Sequence, residues 1–365
     1  MDDPSIGGQT TVMKPTTLAA AAAAATAAAV ASVRRSPDDI TDEVAIVTGA
    51  SRGLGLLLAR ELARNSARLV ICARDSAELG RAADELRAAG ARVTAVACDI
   101  TDEGAPQLLV DAAIEHYGRL DIVISNAGII QVGPVASTTV SDYETALATM
   151  ALAPVRLALA ALPVMRQQAH GRIVNITSIG GKVSFPHLLP YSTAKFAAVG
   201  FSEGLRADLG SGPVVVTTVV PGLMRTGSHL QARFAGRKDA EFTWFALGAS
   251  LPLISMDAER AARQIVDAMR RRRAELILTP LAQLAARGAD VWPELTSALL
   301  SLTARALPAA AGRPGEQLLG SDLSPALNRR LFDRLTALGR AAARRFNEES
   351  PAMHGLADRE NHDRD

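Results

Sequence analysis

Val44-Ala45-Ile46-Val47-Thr48-Gly49-Ala50-Ser51-Arg52-Gly53-Leu54-Gly55 runs from a short apolar segment straight into three glycines within seven positions. The apolar part predicts a buried strand, and the residues after Gly53 predict a helix. Each glycine has a distinct task in such a turn. Gly49 lets the chain swing sharply off the strand, Gly53 lets the backbone approach a pyrophosphate, and Gly55 lets helix and strand pack closely. The helix start then presents free N–H groups to the anion, with Ser51, Arg52 and Leu54 in the same turn. A glycine triplet by itself is a weak signal; its place between a strand and a helix makes it a candidate dinucleotide site.

Outward from this turn, short Val- and Ile-rich runs alternate with longer helical ones. Strands are predicted at 44–48, 69–73, 93–97, 122–125, 173–176, 214–220 and 276–278. They are continuous apolar runs, as a sheet covered on both faces requires. Helices are predicted at 54–65, 77–89, 107–117, 142–168 and 192–209, with Asp75 and Glu78 placed as a cap pair. Repeated strand–helix–strand order implies an α/β fold, a Rossmann-type doubly wound parallel sheet of about seven strands. The expected organisation is an Ala-rich extension over 1–40, a dinucleotide-binding domain over 41–280, a helical extension over 281–346 and a disordered tail over 347–365. In the extension, 281–287, 295–307 and 331–346 read as helices.

The 365 residues are 48% hydrophobic and 21% charged with net charge +1, the balance of a soluble globular chain. Nothing in that charge or in the 4% aromatic content suggests nucleic-acid binding. Cys72 and Cys98 lie in apolar stretches and are expected to be buried and reduced, in keeping with a cytoplasmic protein. From Pro15 to Val33 the chain is uncharged and mostly alanine. Alanine is too weakly apolar for a firm membrane span, so a fraying helix is expected, with membrane association as the alternative. No His/Cys cluster suggests a metal.

The end of the second predicted strand reads Cys72-Ala73-Arg74-Asp75. An NAD site places a carboxylate at the strand end, on the ribose 2′-OH. Ala73 cannot serve there, whereas Arg74 and Arg52 offer guanidinium groups for a 2′-phosphate. NADP is therefore expected, with NAD as the alternative that Asp75 leaves open.

The reactive residues come later. Ser178 follows the fifth strand, Tyr191 comes thirteen residues on, and Lys195 four after that. Residues four apart share a helix face, so Tyr191 and Lys195 can enter one cleft. A neighbouring ammonium is expected to lower the phenol's pKa toward neutrality. Together with the glycine turn and Asn126-Ala127-Gly128, these motifs resemble the short-chain dehydrogenase/reductase family over about residues 41–280.

The resemblance implies interconversion of a carbonyl and an alcohol by hydride transfer, with Tyr191 as acid/base. It implies that Ser178 bonds the substrate oxygen and that Lys195 bonds the nicotinamide ribose. It places Asp99 and Ile100 at the adenine, Asn126, Ala127 and Gly128 beneath its ribose, and Pro221, Gly222 and Thr226 at the nicotinamide amide. One position departs: where most members carry an asparagine in a water-linked proton path, this chain has Met150.

Substrate selection is expected in 223–256, where Phe234, Phe242, Trp244 and Phe245 suggest an apolar lid over a small apolar carbonyl or alcohol substrate. The basic run at 270–273 reads as a solvated helix end, and His187 as a loop residue. A homo-oligomer is expected, and the two unmatched ends offer a peripheral membrane contact. Three rivals stand beside the oxidoreductase: a nicotinamide-dependent isomerase or epimerase, a cofactor-binding regulatory protein in which Met150 marks lost turnover, and a membrane-surface scaffold.

Overall fold

The computed structural model describes residues 36–252, 254–323, 332 and 336–348; the Ala-rich run lies outside them. Seven parallel strands form one sheet: β1 Val44–Thr48, β2 Arg68–Ala73, β3 Val93–Ala97, β4 Ile122–Ser125, β5 Gly171–Ile176, β6 Val214–Val220 and β7 Glu275–Ile277. Their spatial order is β7-β6-β5-β4-β1-β2-β3. The order reverses direction at β1, and the ends of β1 and β4 flank the crevice where ligands of such sheets bind. β1, β4 and β5 are buried along their whole length, so their uninterrupted apolar runs meet helices on both faces.

Among the described residues the longer helices are α1 Gly53–Arg64, α2 Ser76–Ala88, α3 Ala105–Tyr117, α4 Val140–Leu147, α5 Ala153–Gln167, α6 Leu189–Leu209, α7 Lys238–Ser250, α8 Ala258–Arg270, α9 Pro280–Val291, α10 Pro293–Ala306 and α11 Ala337–Arg345. One face of the sheet packs on α1, α2 and α8 through residues such as Leu58, Leu62, Leu86 and Ile265. The other packs on α3 and α5 through Leu109, Ala113, Leu157 and Ala161.

Side-chain caps fix several helix starts. Asp75 accepts from the Glu78 N–H at 2.9 Å, Asp257 from Arg260 at 2.8 Å, and Thr139 forms a reciprocal box with Asp142. Asp75 thus behaves as a cap, but Glu78 does not reach back to complete the expected pair.

Several expectations need correction. The helix expected over 142–168 is two helices joined by a π-turn over Ala148–Leu152. Pro154, at the start of α5, has no N–H to continue the regular ladder from the preceding turn. The first boundary lies too late in the chain: Ile40 is fully buried in the main core, and Asp38 binds Arg172 and Arg272 at 3.0 and 2.7 Å. Arg270 donates to the Asp38 carbonyl and to Asn65, so the basic run pins the chain's entry into the domain instead of ending in solvent.

Cys98 is only half-buried, just past β3, and both cysteines are free thiols. The tail boundary at 347 also moves, because Asn347 and Glu348 are packed against α1. Residues 349–365 lie outside the described residues. The extension's α9–α10 hairpin leaves Leu281, Leu284, Trp292, Leu295, Leu299 and Leu302 exposed.

Candidate active site

Close approach governs the turn after β1. A Cβ on Gly55 would lie 2.0 Å from the Gly49 carbonyl oxygen and 2.6 Å from Asn126 Nδ2, so only glycine fits. Asn126, at the end of β4, donates to the Thr48 and Gly49 carbonyls at 2.9 and 3.2 Å. The N–H groups of Asn126 and Ala127 both reach Thr48 Oγ1. The residues expected beneath a ribose therefore also lock the glycine turn. Gly128 lies against the Met150 side chain.

The first turn of α1 has no side-chain cap: Arg52 stands at the N-cap in extended geometry without one. An anion suits such an end, because N–H groups and helix dipole both point at it. These features fit the pyrophosphate of a dinucleotide.

Both guanidinium groups assigned to a 2′-phosphate are held by carboxylates. Arg52 Nη1 contacts Glu78 Oε1 and Oε2 at 2.8 and 2.7 Å, and Ser51 Oγ donates to the same carboxylate. Arg74, exposed, lies 3.7 Å from Asp99. Asp99 accepts from Thr101 N–H and Oγ1, and despite partial burial those bonds and Arg74 hold its carboxyl below the usual range. Sequence reasoning missed Glu78 as the partner of Arg52, having assigned it to a helix cap.

Ser178, Tyr191 and Lys195 lie together at the end of β5. Ser178 caps the short turn after β5, its Oγ accepting from the Gly180 N–H at 3.0 Å. The Tyr191 ring and Ser178 Oγ lie side by side at Gly180. Lys195 Nζ stands 5.8 Å from the Tyr191 ring centre and donates to the Ile176 carbonyl at 2.9 Å. The protonation expectation is corrected. Burial pushes the phenol up, with Ser178 opposing, while desolvation lowers the buried Lys195 amine to about 8. In this state the lysine does not make the phenol acidic.

Gly180 was also missed. A Cβ there would meet Tyr191 Cε1 at 3.0 Å and Ser178 Oγ at 3.5 Å, so this glycine makes room for the ring. Met150, buried in the π-turn, packs with Ala146, Ala194 and Tyr191, an apolar wall behind the phenol.

Of the residues expected at the nicotinamide, Pro221 joins the Ser178 turn, whereas Thr226 lies by Gly53. Pro221 accepts from the Ile179 N–H at 2.8 Å, joining the segment after β6 to the Ser178 turn. Gly222 packs on Thr279, and Thr226 is buried with its Oγ1 accepting from Ser228. Ile100 is buried beyond β3.

The lid expectation fails in its aromatic part. Phe234, Phe242 and Phe245 are buried against one another edge-on in a small separate core. Trp244 donates to the fully buried Glu241 at 2.7 Å, and His187 Nδ1 lies 2.9 Å from the same carboxylate. Glu241 thus staples α7 to the loop between Ser178 and Tyr191. A groove of about 400 Å³ runs beside that loop, between Lys182, Val183 and Pro186 and the α10 residues Thr296, Leu300 and Ala304.

The glycine turn itself is covered by the chain's own C-terminal segment. The Gly53 N–H donates to the Phe346 carbonyl at 2.8 Å, and Asn347 Nδ2 donates to the Ser51 carbonyl at 2.8 Å. Glu348 lies 3.5 Å from Arg52 Nε, buried, and burial lifts its carboxyl to about 7. The sequence gives only an amphipathic helix ending near Phe346 as a hint of this.

A family model described as short chain dehydrogenase matches residues 43–234. Over 210 residues the chain is 34% identical to granaticin polyketide synthase putative ketoacyl reductase 1 of Streptomyces violaceoruber, covering 56% of this chain and 77% of that protein. It is 30% identical over 240 residues to ketoacyl reductase HetN of Nostoc sp., covering 66% of this chain and 79% of that one. Among solved structures, a short-chain dehydrogenase/reductase from Burkholderia phymatum in complex with NAD aligns with TM-score 0.66 at 26% identity, over 70% of this chain and 96% of that one. An actinorhodin polyketide ketoreductase with NADPH aligns with TM-score 0.56 at 27% identity, over 65% and 95%.

Proposed function

The chain belongs to the short-chain dehydrogenase family and is an NAD(P)-dependent oxidoreductase acting on a CH–OH/C=O pair, and on that premise we propose that it reduces a ketone with NADPH, Tyr191 delivering the proton. The observation that carries this reading is the convergence of Ser178, Tyr191 and Lys195 at the end of β5. When bound, the nicotinamide supplies the hydride.

Tyr191, raised above its ordinary value by burial, keeps its proton at neutral pH and is an acid before it is a base. The developing alkoxide receives that proton. Ser178 Oγ accepts from Gly180, which orients the hydroxyl and leaves its O–H to donate toward the substrate oxygen. Lys195, tethered to the Ile176 carbonyl, stands over the tyrosine ring as the next proton source. An amine lowered to about 8 still carries its proton at pH 7. Both groups are thus loaded for reduction. The ketoacyl reductase names of the relatives point the same way.

Two observations favour NADP. Ala73 ends β2 without a carboxylate, and Asp75 spends its side chain on the α2 cap instead of facing a ribose. Among the structural neighbours one title names NAD and another NADPH, so the preference rests on these residues. Arg52 exchanges Glu78 for the 2′-phosphate when NADP binds.

The test is dinucleotide titration followed by turnover on a ketone panel. Wild type is expected to bind NADPH more tightly than NADH and to reduce ketones. Tyr191→Phe should lose on the order of 10² to 10⁴ in kcat, with dinucleotide affinity within about twofold. Undiminished turnover in that variant refutes the acid role, and tighter binding of NADH refutes the cofactor preference.

A further inference from the structure

The groups that the coenzyme's phosphates would use at the glycine turn are already in use. Gly53 donates its N–H to the Phe346 carbonyl at 2.8 Å. Glu348 Oε1 lies 2.5 Å from where a Gly53 Cβ would stand, so it fills the space that a glycine leaves for a close ligand. Arg52 pairs with the same carboxylate, and Thr226 Cβ lies 3.9 Å from the Gly53 Cβ position. An acidic group at an uncapped helix start, beside a guanidinium, imitates the ligand the site is built for.

The segment is held on purpose-built contacts. Phe346 is buried in the main core beneath the Arg60 and Arg345 guanidinium groups. Asn347 bonds the Ser51 carbonyl, and Gln231 Nε2 donates to the Glu348 carbonyl at 2.8 Å. α11 lies so near the segment after β6 that a Cβ on Gly227 would meet Ala343 Cα at 2.5 Å.

We propose that Phe346, Asn347 and Glu348 form an intramolecular competitor of the dinucleotide: the segment occupies the pyrophosphate cradle, and coenzyme binds only as the segment leaves. This inference rests on the dinucleotide-binding reading above. The exclusion is steric and chemical at once, since one N–H, one guanidinium and one space cannot serve both occupants. The apparent affinity for coenzyme is reduced by the fraction of molecules whose cradle is free.

Two variants of the full chain test it: the double change Asn347→Ala with Glu348→Ala, and Gln231→Ala, which loosens the segment from outside the cradle. NADPH affinity is read by nicotinamide fluorescence, and the protection of amides 343–348 by hydrogen exchange with and without saturating NADPH. Both variants are expected to bind roughly five- to tenfold more tightly than wild type, and NADPH should strip protection from 343–348 in wild type. Affinities equal within twofold, or protection that holds or rises on NADPH binding, overturn the competitor while leaving the enzyme reading intact. If neither wild type nor variants bind any nicotinamide dinucleotide, the enzyme reading falls and takes the competitor with it.

Discussion

Glu348→Gln should separate the pH dependence of coenzyme binding from its absolute strength. In wild type, burial and the nearby Glu78 outweigh Arg52 and lift the Glu348 carboxyl from the ordinary 4.5 to about 7. That difference is worth roughly 3 kcal/mol between the two protonation states. The seated segment keeps a proton that the released one gives up, so seating is fully favoured below about pH 4.5 and weakens as pH rises toward 7. Between pH 6 and 8 the remaining loss amounts to roughly tenfold in the seating equilibrium.

Where seating dominates, NADPH affinity rises by the same factor. Arg52 and Glu78 face the carboxyl, and Arg81 reaches it through Asn347. The ligand's 2′-phosphate titrates near pH 6 and Lys195 near 8, but both are present in either protein. The ratio of the two dissociation constants therefore isolates Glu348. Fluorescence titrations at pH 6, 7 and 8 should show that ratio changing by about tenfold. Parallel curves for wild type and Glu348→Gln across that window would refute the reasoning.

Two further predictions concern the reactive side. Gly180→Ala pushes a methyl group to 3.0 Å from Tyr191 Cε1; kcat should drop at least about tenfold with NADPH affinity unchanged, and a kcat equal to wild type would mean that the ring has room to spare. Glu241→Ala leaves the Trp244 indole and His187 without their buried acceptor; destabilisation of about 2–4 kcal/mol is expected, read as a melting temperature several degrees lower together with a raised KM. An unchanged melting temperature and KM would show that α7 is held by its phenylalanines alone.

Much of the fold was legible because the main sheet's strands are uninterrupted Val and Ile runs, and each of its seven strands lies within two residues of its expected place. The reactive trio was legible for a related reason: the motif is local, and a helix converts a spacing of four into a shared face. What escaped was non-local or depended on which of two bonds a side chain makes. Asp75 could be a ribose ligand or a cap, and only the Glu78 N–H at 2.9 Å decides it. Glu78, freed from reciprocal capping, turns to Arg52 at the start of α1. The break at Ala148–Leu152 left no trace in the apolar periodicity, although Pro154 marked the place. The contact of Glu348 with the glycine turn joins positions 295 residues apart (348 against 53), and no periodicity encodes it.

Met150 now carries less weight against turnover than the sequence suggested. It fills the wall behind Tyr191 within a π-turn, and the ring still lies beside Ser178 at Gly180. The obstruction lies at the other end of the crevice, where the chain's own residues take the cradle. The two give different signatures. A missing proton path lowers kcat at every coenzyme concentration, since it acts after binding. A seated segment raises the coenzyme concentration needed and leaves kcat intact once the cradle is filled. Low turnover that recovers as NADPH or pH is raised therefore points to the segment; turnover that stays low at saturating NADPH points to Met150. A chain silent at low coenzyme need not have lost its chemistry: the enzyme and regulatory readings become two states of one molecule, exchanged at Gly53.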